Sequence, residues 1–156
     1  MFKIKNRIPL KNKNYTLFLA DDDADDRQIF EEVLDEISPK INFKSFDNGV
    51  DLMTNLKNRS NKRPDYIFLD LKMPMMDGEE CLQEIRKLTR LDKIPVIIYS
   101  TSIDIYKAER LRDMGATMYL KKPNSFKDLK NAILNCLADI QAGFDDKQGN
   151  TFIVQM

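Results

Sequence analysis

The 156 residues set 25 Lys and Arg against 25 Asp and Glu, contain no histidine and only two cysteines, and are 42% apolar and 32% charged. That length fits one domain with a core able to stand without staples, and the zero net charge offers no field for nucleic acid or an anionic membrane. Without imidazoles there is no His-ligated zinc, no Ser-His-Asp triad and no internal phosphohistidine; Cys81 and Cys136 are too few and too separated for a zinc cage or a disulfide framework, and no apolar run reaches membrane-spanning length.

Residues 1–14 read as a flexible basic arm, carrying Lys3, Lys5, Arg7, Lys11 and Lys13. From residue 15, short runs of strand formers alternate with stretches of helical period. The first strand is expected at 15–20, followed by Asp21, Asp22 and Asp23. A helix over 24–37 presents Ile29, Phe30, Val33, Leu34 and Ile37 as its apolar stripe and is stopped by Pro39. A strand at 41–46 leads to a helix at 48–58 with Val50, Leu52, Met53 and Leu56 inward. The strand at 66–70 ends on Asp70, and the helix at 78–89 carries Cys81, Leu82, Ile85 and Leu88, which makes Cys81 a core thiol. A strand at 95–100 ends on Ser100; the helix at 104–114 closes on Gly115, a C-cap glycine. After the strand at 117–121, Ser125 serves as N-cap, with Asp128 three residues on, for a helix to residue 140. That helix turns Phe126, Leu129, Ile133 and Leu137 inward, and Gly143 closes it. The domain is expected to span 15–142, with 143–156 as a C-terminal tail. Several strands are continuous apolar strings, as in parallel sheets covered on both faces. Five βα units joined by right-handed crossovers give an α/β, doubly wound (βα)5 fold with a five-stranded parallel sheet.

Ligands of such sheets collect at the carboxyl ends of the strands. This chain delivers Asp21, Asp22 and Asp23, then Asp70, then Ser100 and Thr101, then Lys121, Lys122 and Pro123 to that rim. Carboxylates brought together repel, and their pKa values rise unless a cation intervenes. Mg2+, a hard ion that takes one or two carboxylates and keeps room for substrate oxygens, is the natural remedy. An ammonium and a hydroxyl beside it would hold phosphoryl oxygens and leave one carboxylate free to attack.

These segments resemble the receiver domain of two-component response regulators over about residues 15–141. The resemblance is carried by Leu17-Phe18-Leu19-Ala20-Asp21-Asp22, by Leu69-Asp70-Leu71-Lys72-Met73-Pro74-Met75-Met76-Asp77-Gly78 with its M-P-x-M-D-G signature, by Ile97-Ile98-Tyr99-Ser100-Thr101, and by Tyr119-Leu120-Lys121-Lys122-Pro123. It implies the flavodoxin-like form of the fold, with Asp70 as phosphoacceptor and Ser100 and Lys122 contacting the phosphoryl group. By the same resemblance Asp22 and Asp70 ligate Mg2+ directly, Asp21 acts mainly through water, and the Lys72 main-chain carbonyl completes the protein ligands. Ser100 and Tyr119 become the switch pair, a cis peptide is expected before Pro123, and the surface built by the helix at 104–114, the strand at 117–121 and the helix that follows it changes on phosphorylation. A cytoplasmic, single-domain regulator, monomeric or weakly dimeric, follows as the expectation. It would take its phosphoryl group from a histidine kinase or histidine phosphotransfer protein and signal to a downstream protein, without nucleic acid, membrane or turnover of an external substrate.

Two rivals read the acidic run differently. Asp21-x-Asp23-x-Asp25 with Glu32 mimics an EF-hand loop, but Asp26 stands where that loop needs glycine and a strand precedes it. A haloacid-dehalogenase-type phosphatase would use Asp21 as nucleophile and needs a later acidic pair on another strand. The later aspartate pair, Asp145-Asp146, falls in the tail.

Overall fold

The computed structural model describes residues 14–143 and 152–154. Its elements are β1 (Tyr15–Ala20), α1 (Ala24–Ile37), β2 (Ile41–Phe46), α2 (Gly49–Lys57), β3 (Tyr66–Leu69), α3 (Gly78–Lys87), β4 (Val96–Ser100), α4 (Ile105–Asp113), β5 (Met118–Lys121), α5 (Phe126–Gln141) and β6 (Ile153–Val154). The strands pair in parallel in the order β2-β1-β3-β4-β5-β6. The basic arm, except Asn14, lies outside the described residues, as does most of the tail.

Alternation along the strands splits the core into two layers. Phe18, Ile67, Leu69, Val96 and Ile98 face Leu52, Met53 and Leu56 of α2, Cys81, Leu82 and Ile85 of α3, and Ala108 and Leu111 of α4. Leu17, Leu19, Phe68, Ile97 and Tyr99 face Phe30, Val33 and Leu34 of α1 and Leu129, Ile133, Cys136 and Leu137 of α5. Each fully buried aliphatic or aromatic side chain contributes about 1.5–3 kcal/mol by leaving water. The Phe30 ring adds edge contacts to Phe68 and Tyr99 at centroid distances of 5.1 and 5.5 Å.

The structure departs from the sequence reading in particular places. Ile29, Val50 and Phe126 are 42%, 41% and 37% exposed rather than inward. In α1 the buried stripe is Phe30, Val33 and Leu34, and Ile29 is rotated about 100° off its leading residue. In α2 the inward positions are Gly49, Leu52, Met53 and Leu56, so Gly49 takes the place expected of Val50. The approach there admits nothing larger, because a Cβ on Gly49 would sit 2.1 Å from the Met76 carbonyl oxygen. Phe126 is the first residue of α5, a turn ahead of the buried Leu129. The sheet has six strands instead of five, since tail residues 153–154 pair with Tyr119 and Leu120.

The chain runs from β1 outward to β2 and then returns to place β3 on β1's other side, so the direction of winding reverses between β1 and β3. A crevice opens at such a point, at the strands' carboxyl ends. Register fixes what enters it. Ala20 pairs with Leu69, which sets Asp21 and Asp70 side by side, and Ser100 pairs with Lys121, which sets Lys122 just beyond.

Candidate functional site

Main-chain bonds aim the acidic residues before any side chain acts. Asp21 N–H donates to the Phe46 carbonyl and Asp70 N–H to the Ala20 carbonyl, both at 2.9 Å, carrying the β ladder one residue past each strand. Carboxylate oxygens of Asp21, Asp22 and Asp70 then lie within 4.8 Å of one another. Burial grades across the three: Asp21 is 0% exposed, Asp70 7%, and Asp22 faces solvent. Asp23, next in the run, turns away as the N-cap of α1, accepting from the Asp25 and Asp26 N–H groups.

Lys122 enters from β5. Its Nζ stands 2.7 Å from Asp21 Oδ2, 2.9 Å from Asp26 Oδ2 and 3.3 Å from Asp70 Oδ2. Burial alone would lower its pKa, but hydrogen bonds and charge from Asp21 and Asp26 outweigh that and hold it above the ordinary lysine value. Burial pushes Asp21 up to about 6; Lys122 and the Asp23 N–H pull it down, and the Asp70 charge adds to the rise. The Lys122 ammonium also sits 5.1 Å from the Tyr99 ring centroid. Among the described residues no peptide is cis, so the expected cis bond before Pro123 is replaced by a trans one. Lys122 is aimed instead by its N–H, which donates to the Ser100 carbonyl at 2.7 Å.

Asp26 is the site residue that the sequence reading did not find. It lies in the first turn of α1, whose N-terminus opens on the rim, and its charge matches a helix start. That pattern was readable as a cap preference but carried nothing to connect it with Lys122.

The loop after Asp70 is held by close backbone contact. A Cβ on Gly78 would meet the Asp70 carbonyl oxygen at 2.2 Å. Asp77 and Glu80 form a reciprocal capping box that starts α3 at that point. Lys72 is exposed on this loop, its N–H donating to Asp70 Oδ1 at 3.4 Å. On the opposite side Ser100 is 5% exposed at the end of β4. Tyr119 is 1% exposed, and its hydroxyl donates to the Ser102 carbonyl at 2.6 Å. Burial raises its pKa, with the Ser100 hydroxyl pulling the other way. Tyr119, the aromatic member of the expected switch pair, thus lies inside, its ring packed in the core and its hydroxyl satisfied.

Three carboxylates thus surround one ammonium, and Asp22 adds a fourth negative charge beside Asp21 and Asp70. An all-oxygen donor set with that excess negative charge fits a hard divalent cation, and the Asp21, Asp22 and Asp70 oxygens are spaced to share one.

A family model for the response regulator receiver domain matches residues 17–134. The chain is 32% identical over 129 residues to sensor histidine kinase CheAY of Helicobacter pylori, covering 79% of this chain and 15% of that protein. It spans 45% and 42% of the length of two further curated relatives. Among solved structures, that of the phosphorylated cyanobacterial phytochrome response regulator RcpA superposes with TM-score 0.74 at 27% identity, covering 85% of this chain and 97% of that one. The Mn(2+)-bound form of response regulator Rcp1 does so with TM-score 0.71 at 26% identity, covering 84% and 96%.

Proposed function

Since the chain belongs to the response regulator receiver domain family, we propose that Asp70 accepts a phosphoryl group from the phosphohistidine of a partner kinase or phosphotransfer protein, with Mg2+ as the cofactor. The observation that carries this reading is Lys122 Nζ, 3.3 Å from Asp70 Oδ2, beside carboxylate oxygens spaced for one cation. An Asp70 carboxylate oxygen attacks phosphorus in line; the new O–P bond forms as the P–N bond to the donor imidazole breaks, and the imidazole leaves with the electron pair. The Lys122 ammonium and the Ser100 hydroxyl donate to the transferred phosphoryl oxygens where negative charge builds. Asp21, Asp22, Asp70 and the Lys72 main-chain carbonyl would hold the metal, which neutralises phosphoryl charge when bound.

The output is a surface change and not turnover of an external substrate. Drawing the Ser100 hydroxyl toward the phosphoryl group pulls on the β4–α4 loop. That loop is tied to Tyr119 through the Ser102 carbonyl, so the face built by α4, β5 and α5 shifts with it and presents Ile105 and Tyr106, 60% and 85% exposed. Differential affinity of a downstream protein for the two arrangements makes the signal. The phosphatase alternative loses its nucleophile: Asp21 is fully buried and engaged by Lys122 and the Asp23 N–H.

Intact-mass analysis after incubation with a small phosphodonor and Mg2+ tests the assignment. The parent gains one phosphoryl group and Asp70→Asn gains none. Labelling that persists in the variant would refute Asp70 as acceptor.

A further inference from the structure

A parallel sheet normally leaves its outer strand with unpaired N–H and C=O groups, a template for another strand. Here β5 has that position in the (βα)5 scaffold, yet its edge is filled. Tyr119 N–H donates to the Phe152 carbonyl at 2.9 Å, and the register sets Tyr119 against Ile153 and Leu120 against Val154. The Phe152 ring is 6% exposed within the core layer of α2, α3 and α4, and the Arg112 guanidinium lies 5.4 Å from its centroid. Ile153 and Val154 remain half-buried at the rim. The contact amounts to one seated aromatic ring and a two-residue ladder.

We propose that the β5 edge is a strand-docking surface for an extended partner segment running parallel to β5, an aromatic residue followed by two aliphatic ones. Phe152-Ile153-Val154 is its occupant in cis. The main chain of β5 supplies the ladder, as in other cases of β-strand addition, and the Phe152 seat supplies specificity. Tethering gives the cis segment an effective concentration on the order of millimolar, so a partner segment gains the edge only where it binds better or where the cis contact is weakened. The edge shares Tyr119 with the surface proposed above to respond to Asp70, but the inference requires only the β5–β6 geometry and stands apart from the phosphorylation chemistry.

The test uses the full chain and a synthetic peptide of residues 149–156, GNTFIVQM. The 15N-labelled parent and Phe152→Ala are titrated with the unlabelled peptide, following the Tyr119 and Leu120 amide signals. The expected result is saturable movement of those signals in Phe152→Ala, at least tenfold tighter than in the parent. A peptide with alanine at its phenylalanine should bind at least tenfold more weakly. Hydrogen exchange at the Tyr119 amide should accelerate in Phe152→Ala before peptide is added. Should emptying the seat prevent folding, Ile153→Lys at the rim releases the strand with the ring position intact, and the same peptide affinities decide. Equal binding to parent and variant, or none to either released variant, overturns the proposal. A dimeric parent that Phe152→Ala converts to monomer overturns it also, by assigning the edge to a second copy. Phosphodonor labelling at Asp70 in both variants serves as the separate control on the site.

Discussion

Asp22→Asn should stabilise the metal-free protein and, in the same step, remove its stabilisation by Mg2+. Asp22 makes no ion pair among the described residues, while Asp21 and Asp70 both contact Lys122. Its carboxylate lies within 4.8 Å of both of those acids. Two unit charges at that separation repel by about 0.9 kcal/mol in water and by about 3.5 kcal/mol at an effective dielectric constant near 20. Because Asp22 faces solvent, the water-like figure applies to each of its two repulsions, and losing the longer-range attraction of Lys122 offsets part of the gain. The net is about 1 kcal/mol, or roughly 2–4 °C in melting temperature for a chain of this size. A cation that binds only the folded state adds about 2.7 kcal/mol at one hundred times its dissociation constant. The parent should therefore melt below the variant in EDTA and above it in saturating Mg2+, and the two curves should cross during a Mg2+ titration followed by circular dichroism. A variant that melts below the parent in EDTA, or that gains as much as the parent from Mg2+, would refute the charge argument.

Asp21, held up at about 6 from a usual 3.8, binds its proton more tightly folded than unfolded. Its contribution to stability is full below the unfolded pKa and is lost as pH rises through about 6. Denaturant titrations in EDTA should show the parent losing up to about 3 kcal/mol between pH 4 and 7 relative to Asp21→Asn; parallel profiles would contradict the assignment. Gly78→Ala would force a methyl group to 2.2 Å from the Asp70 carbonyl oxygen. It should cost about 1–3 kcal/mol and slow labelling of Asp70 by a phosphodonor, and an unchanged labelling rate would count against the close-packing argument. Burial pushes the Cys81 and Cys136 thiols up to about 12, so a disulfide reagent at pH 8 should find two reactive thiols after unfolding and essentially none before.

The fold was legible because its signals are local and repeated. The α1 limits expected from the sequence match the structure, with Asp23 capping one end and a break before Pro39 at the other. Gly115 and Gly143 adopt the positive φ that their places after helices imply. What periodicity misses is how near two backbones come. Nothing in the sequence around Val50 tells that Gly49 packs against the Met76 carbonyl, yet that contact turns Val50 outward. The sixth strand was missed for a related reason. Two paired residues are too short for an alternation pattern, and Phe152 becomes a core residue only because the β5 edge is there to receive it.

At the site, the sequence places residues on strand ends, and register then does the selecting. Ala20 opposite Leu69 and Ser100 opposite Lys121 are pairings that hydrophobic patterning constrains, because a one-residue slip would turn every core side chain to the other layer. That explains why the sequence could place Asp21, Asp70, Ser100 and Lys122 at one rim of the sheet. Asp26 could not, since it reaches Lys122 from a helix whose tilt is set by α1 packing on α5 and not by any strand. Its presence alters the electrostatics of the site. With Asp26 at 2.9 Å and Asp21 at 2.7 Å, the ammonium is nearer to two other carboxylates than to Asp70 at 3.3 Å. Moving Lys122 toward a phosphoryl group on Asp70 must weaken its hold on Asp26, which stands at the mouth of α1. On the proposed reading, phosphoryl transfer to Asp70 would thereby be coupled to the start of α1 as well as to β4 and β5.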